Sequence, residues 1–175
     1  FDALKFFKLL NEVKPTWFSA VPTMHQAILS RSARNQDVIN KSRLKFIRSS
    51  SASLPIVVLK KLESIFNCPV IEAYGMTEAS HQMASNPLPP LTRKAGTVGL
   101  AAGPAIEIMS KEGKILPPNQ IGEIVIKGAN VTKGYKNNPK ANEENFINGW
   151  FRTGDEGSID IEGYLSIKGR LKEII

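Results

Sequence analysis

At 175 residues the chain is long enough for one domain or two small subdomains with a real core, and its 42% apolar content is that of a globular rather than a disordered protein. The formal charge of +7 comes from scattered lysines and arginines, which suits a solvated surface or a phosphate-bearing small molecule and not a nucleic-acid stripe. A single cysteine, Cys68, excludes an internal disulfide and a CxxC metal or redox site, and no uninterrupted apolar run approaches the length of a membrane span.

The chain opens at Phe1 rather than Met, and its closing run from Leu171 to Ile175 shows no cap or tail, so the expectation is an internal piece of a longer protein. From Asp2 to Val13 apolar residues recur at Leu4, Phe7 and Leu10, the spacing of one buried helix face, and Pro15 ends the pattern. Thr16 to Val21 is short and rich in β-formers, and Pro22 then opens a helical stretch, Met24 to Arg31. His25 is expected to pack or cap near Pro22. The unit recurs: Leu44 to Ser49 reads as a strand, Pro55 starts a helix carrying Val58, Leu62 and Ile65 inward, and Pro69 to Ala73 reads as another strand. Cys68, just before that strand, is expected to be a small buried thiol rather than a nucleophile.

Alternating strands and helices imply a parallel sheet, in which ligands bind beyond the carboxyl ends of the strands, so a site is expected at the loops after Val21, Arg48 and Ala73. Asn86-Pro87-Leu88-Pro89-Pro90 sustains neither helix nor central strand. Beyond it lie short β-type runs at Ala105 to Met109, Gly122 to Lys127 and Tyr164 to Ile167, with a turn at Lys111 to Lys114 after the first. The expected fold is therefore α/β: a parallel sheet with flanking helices over residues 1–90, then a small antiparallel, barrel-like subdomain over 91–168, with 169–175 leading out of it.

The stretch Glu72-Ala73-Tyr74-Gly75-Met76-Thr77-Glu78-Ala79-Ser80-His81 gathers several chemical groups in one tight turn. Gly75 lets the backbone approach a ligand, Thr77 offers a hydroxyl to a phosphate oxygen, Glu78 a carboxylate to a bridging Mg2+, and Tyr74 a flat face for a purine. Composition alone favours a plainer reading, a strand-to-helix connection with Thr77 as cap, Glu78 in the first turn and His81 at the helix start. A second stretch, Gly149-Trp150-Phe151-Arg152-Thr153-Gly154-Asp155, is followed by Gly163-Tyr164-Leu165 and then by Lys168 to Ile175. Its plain alternative is a Gly-Asp hairpin turn.

Tyr74-Gly75-Met76-Thr77-Glu78 resembles the core signature of the adenylate-forming superfamily, which includes acyl-CoA synthetases, firefly luciferase and peptide-synthetase adenylation domains, and the second stretch follows in the order and spacing that superfamily shows. The resemblance implies an acid-thiol ligase that uses ATP, Mg2+ and coenzyme A on a small-molecule carboxylic acid. It implies that Thr77 and Glu78 act at the phosphates and the metal, and that Tyr74, Gly75, Thr77, Asp155 and Arg170 bind the nucleotide, Asp155 by accepting both ribose hydroxyls. It also implies that Lys172 is the hinge to a C-terminal domain.

The likeness is closest to the oxalyl-CoA synthetases of plants and fungi, relatives of 4-coumarate-CoA ligases, through Thr16 to Gln26, Phe46 to Leu54, Met76 to Pro90 and Asn130 to Pro139. Ser51 and His81 lie at matching positions of the acid pocket, where polar groups would hold a second carboxylate; a serine-rich turn and a solvated histidine are the plain alternatives. The landmarks Gly96 to Gly99, Gly122-Glu123-Ile124 and Gly134 to Pro139 read as structural. A coumarate-type or fatty acid, a peptide-synthetase module, and an inactive nucleotide-binding or interaction fragment are the competing readings. The compartment implied is cytoplasmic or peroxisomal, with no targeting signal visible.

The superfamily's phosphate loop and C-terminal lysine are not among the 175 residues, so this polypeptide by itself is expected to be inactive. Supplied with ATP, Mg2+, CoA and acid, it should form acyl-CoA no faster than the protein-free background; turnover above that background would overturn the expectation.

Overall fold

The computed structural model describes residues 1–171, and Lys172 lies outside them. The chain packs as two compact units: Phe1–Ala73 with Pro87–Gly96, and Tyr74–Asn86 with the chain from Thr97 onward.

In the first unit, α1 (Ala3–Val13) starts where the Asp2 carboxylate accepts a bond from the Leu4 amide (2.8 Å) and ends where Lys14 turns left-handed ahead of Pro15. There follow β1 (Trp17–Ala20), α2 (Pro22–Ser32), α3 (Gln36–Asn40), β2 (Phe46–Ser49), α4 (Ile56–Phe66) and β3 (Val70–Met76). The three strands run parallel in the order β1, β2, β3, with Ala20 beside Ser49 and Ser49 beside Glu72. The alternating pattern thus produces the parallel sheet it implies. Phe7, Leu10, Ile28, Ile47, Leu59, Leu62, Phe66 and Val70 form the core, and full burial of each aliphatic side chain stabilises by about 1.5–3 kcal/mol. Helix α4 buries Leu59, Leu62 and Phe66, with Val58 and Ile65 half-buried beside them, so its inward stripe is turned slightly from the expected Val58, Leu62, Ile65.

The proline-rich run folds back on this unit. Arg93 donates to Glu63 (3.0 Å) and the Gly96 amide to Glu72 (3.2 Å). Cys68 is buried, and burial together with the Glu63 carboxylate pushes its thiol up to about 11, so it is an inert core thiol. His25 is fully buried on α2 against the Phe18 ring (centroids 5.9 Å apart) and makes no hydrogen bond through either ring nitrogen. Burial holds its pKa below the ordinary value, although the nearby Arg48 and Ala20 carbonyls oppose the shift.

The second unit takes the last three residues of β3, then β4 (His81–Ser85), β5 (Leu100–Ala101), β6 (Ala105–Met109), β7 (Gly122–Lys127), α5 (Pro139–Asn145), β8 (Phe146–Ile147), β9 (Trp150–Ile159) and β10 (Leu165–Arg170). Antiparallel pairing runs β10-β9-β7-β6, with β8 added against β9. Strands β4 and β5 form an antiparallel ribbon, which Val98 and Gly99 stitch to Leu165 of β10 (both bonds 2.8 Å). Met83, Ala84, Ile106, Ile108, Ile124, Ile126, Phe151 and Leu165 fill its core.

The two plainer alternatives do not hold. No helix follows Glu78: Thr77–Ala79 make a single 3-10 turn and His81 opens strand β4. Nor is Gly149 to Asp155 a hairpin turn as a whole. The turn is confined to Asn148 and Gly149, both at positive φ, and Trp150 onward is strand because Phe151 and Thr153 point into the core. Among the described residues no helix is long and apolar enough to cross a membrane.

Because His25 is buried with its pKa lowered, the unfolded chain binds a proton there more readily than the folded one, so stability should fall as pH drops below the ordinary histidine value of 6.5. Urea midpoints measured between pH 5 and 8 should show that slope, and His25→Gln should flatten it; an identical slope in the variant would exclude His25 as its source.

Candidate active site

Three of the expected nucleotide residues meet in the second unit. Tyr74, near the end of β3, donates its hydroxyl to Oδ2 of Asp155 at 2.5 Å, and Arg170 at the end of β10 places Nε 3.2 Å from Oδ1. Asp155 and Arg170 are cross-strand partners in the β9–β10 ladder. Burial, and then the Asp155 carboxylate, raise the Tyr74 pKa far above its usual value, so the phenol stays protonated and acts as a donor. A carboxylate has about four acceptor positions. Two are engaged here, which leaves acceptor capacity on the carboxylate.

Gly75 has no room for a side chain: a Cβ there would lie 1.6 Å from the His81 carbonyl oxygen. That contact folds β3 back on β4 and produces the tight turn between them. Ser80 and His81 both adopt left-handed backbone (φ +53° and +84°), which is unfavourable for residues other than glycine unless the surroundings impose it. The bracing comes from a segment with no assigned role in the sequence. The Asn130 amide donates to the Ala79 carbonyl (2.8 Å), Ser80 donates to the Asn130 carbonyl (3.0 Å), and the Thr132 amide donates to the Glu78 carbonyl (2.7 Å). Tyr135 adds its hydroxyl to Oε1 of Glu78 at 2.9 Å, and its pKa is pushed up to about 12 by burial and by that carboxylate. Thr77 is exposed and Glu78 half-buried.

Ser51 belongs to the first unit, in the loop after β2, and His81 to the second. Both are exposed, and Ser51 also has positive φ (+73°). Arg48 reaches across that loop to the hydroxyls of Ser19 and Ser50, each at 3.2 Å. Serine hydroxyls and one guanidinium thus gather at the carboxyl ends of β1 and β2, where parallel-sheet ligands are expected.

Among the described residues no three His, Cys, Asp or Glu side chains cluster as a metal cage. Glu78 is a single half-buried carboxylate, the number that a Mg2+ already carrying phosphate and water ligands would need. Tyr135, Asn130 and Thr132 were not among the expected site residues, Tyr135 being read as structural. Their signal was present, in the run Asn130 to Pro139, but nothing in that run shows that it braces residue 78.

Residues 1–136 match the family model described as AMP-binding enzyme. The chain belongs to the AMP-binding enzyme family. Within that family it is 50% identical to the oxalate-CoA ligase of Arabidopsis thaliana, over the whole chain and 34% of that relative. It is also 50% identical to the oxalate-CoA ligase of Saccharomyces cerevisiae, over 91% of the chain and 29% of the relative. The crystal structure of ATP-bound MatB from Rhodopseudomonas palustris superposes with a TM-score of 0.88 at 34% identity, covering all of this chain and 34% of that one. The chain therefore spans about a third of the length of these AMP-binding relatives.

Gly75→Ala should be far costlier than a glycine replacement usually is, because both atoms that would have to part are backbone. A loss on the order of 3 kcal/mol or more in denaturant unfolding is expected. Gly154→Ala, whose Cβ would meet nothing within 4 Å, should cost only the left-handed penalty of about 1 kcal/mol. Equal losses at the two positions would refute the steric argument.

Proposed function

We propose that this chain is the nucleotide-binding portion of a carboxylate-CoA ligase that activates oxalate as its adenylate and passes the acyl group to coenzyme A. The observation that carries the enzyme class is the Tyr74–Asp155–Arg170 cluster in a chain of the AMP-binding family. The substrate rests on the likeness to two oxalate-CoA ligases and on the polar groups at Ser51 and His81.

Asp155, oriented by Tyr74 and Arg170, takes the ribose hydroxyls on its remaining lone pairs. Tyr74 would offer its ring to the purine, Thr77 its hydroxyl to phosphate oxygens, and Glu78, held by Tyr135, its carboxylate to the Mg2+ that ATP carries, which would supply charge neutralisation at the phosphates. The family resemblance assigns Ser51 to the acid substrate, and it assigns His81 likewise. A carboxylate oxygen of the acid then attacks the α-phosphorus and pyrophosphate leaves; in the second half-reaction the CoA thiol attacks the acyl carbon and AMP leaves. Neither step requires a covalent protein intermediate, so the protein's contribution is alignment and charge neutralisation. Lys172 serves as the hinge about which the C-terminal domain turns between the two steps.

The test is pyrophosphate release by a full-length enzyme carrying this chain, with oxalate, malonate, coumarate and a medium-chain fatty acid as substrates. Release should depend on oxalate, and Ser51→Ala and His81→Ala should each raise the oxalate KM about tenfold or more, the cost of a lost hydrogen bond to a charged group. Asp155→Asn should weaken ATP by a similar factor and leave the oxalate KM in place. Activity confined to coumarate or the fatty acid, untouched by the first two substitutions, would overturn oxalate as substrate while leaving the ligase class standing.

A further inference from the structure

The strand that carries Asp155 is not regular. Glu123 of β7 pairs with Glu156 and Val125 pairs with Arg152, so three residues of β9, Thr153, Gly154 and Asp155, stand opposite the single residue Ile124. The surplus residues must bulge, and a bulge re-aims the side chains it carries. Gly154 lies at φ +74°, and a Cβ there would meet nothing within 4 Å, so packing at this residue does not hold the bulge in shape.

Hydrogen bonds hold it, and they converge on Glu123. Its Oε1 accepts from the Gly154 amide (3.1 Å), and its Oε2 accepts from Nε of Arg152 (2.8 Å) and lies 2.6 Å from the Arg152 terminal nitrogen. Glu123 is only 9% exposed. Its negative charge is therefore offset by Arg152 alone among the described ion pairs, and its second oxygen is spent on the bulge. Thr153 completes the frame by donating to the Ile124 carbonyl (2.7 Å) and accepting from the Asp155 amide (3.1 Å). From the other side the Gly154 carbonyl accepts from the Leu171 amide (2.8 Å). Gly154 is thus gripped through both its amide and its carbonyl, immediately before Asp155.

An ordinary cross-strand ion pair would join Glu123 to Arg152 and leave the bulge backbone alone. Here one carboxylate oxygen goes to the ion pair and the other to the loop that aims Asp155. We propose that Glu123, with Arg152 as its counter-charge, is a positioning residue for the nucleotide: it locks the β9 bulge so that the Asp155 carboxylate meets the ribose, without touching the nucleotide itself. This rests on the assignment of Asp155 to the ribose.

The test is a double-mutant cycle in the full-length enzyme, read as the Kd for ATP by calorimetry together with the KM values for ATP and for oxalate. Glu123→Ala should weaken ATP about tenfold, the size of one lost hydrogen bond to a charged group, with the oxalate KM moved by less than about twofold. Glu123→Gln keeps an acceptor for the Gly154 amide and should restore most of the affinity. In an Asp155→Asn background, Glu123→Ala should add nothing, because its effect passes through Asp155. If Glu123→Ala does not fold, Arg152→Met, which removes the counter-charge, enters the same cycle, and it should weaken ATP measurably in the native background and not in the Asp155→Asn one. Equal losses of ATP and oxalate affinity, or a Glu123 effect that persists undiminished beside Asp155→Asn, would overturn the positioning role while leaving Asp155 at the ribose. An Asp155→Asn enzyme with unchanged ATP affinity would overturn the ribose assignment itself, and this inference with it.

Discussion

The carbonyl oxygen of His81 rests where any residue but glycine at position 75 would carry its β-carbon. That one backbone approach lets β3 turn back into β4 within a few residues, and most of the candidate site is arranged around it. Tyr74 lies just before the contact with its hydroxyl on Asp155; Thr77 and Glu78 lie in the turn it closes; His81 supplies the oxygen itself. The turn also forces two consecutive left-handed residues, Ser80 and His81, a conformation that persists because Asn130 and Thr132 tie down the carbonyls of residues 78 and 79. Strain in the turn and bracing from a remote segment are two halves of one arrangement.

A phenol aimed at a carboxylate appears twice. Tyr74 donates to Asp155 and Tyr135 to Glu78, and in both the phenol is held protonated by burial and by the negative charge it faces. A protonated phenol can donate one bond and fix one oxygen, which leaves the other lone pairs of the carboxylate for a ligand. The two carboxylates at which the family resemblance places ribose and metal are thereby oriented before any ligand arrives, and such pre-orientation lowers the cost of ordering them on binding.

Much of this was legible in the residues. The parallel βαβ arrangement followed from short β-rich runs alternating with helical stripes, and Pro22 and Pro55 marked the helix starts closely. The strings around Tyr74 and Asp155 were specific enough to place the family, because a nucleotide site needs particular chemical groups at fixed local spacing. Where the plainer alternatives fail, the cause is a backbone approach or a strand pairing that local propensity does not show. A strand, a glycine, a threonine and a glutamate suit a helix start equally well until the His81 carbonyl is packed on Gly75. The alternative of a Gly-Asp hairpin turn stayed open because the bulge there is visible only once β7 is laid beside β9.

The amino-acid sequence by itself determined most of the helices and strands, that the first three strands run parallel, and the motif strings that mark the family, since each depends on local propensity, hydrophobic period or motif spacing. Only the tertiary structure decided how those side chains are aimed. The bond between Tyr74 and Asp155 spans 81 residues, that between Tyr135 and Glu78 spans 57, and the grip of Glu123 on Gly154 spans 31. Pairings of that range are set by strand register and by the burial of polar groups that must find partners, and neither is written in any short stretch of chain.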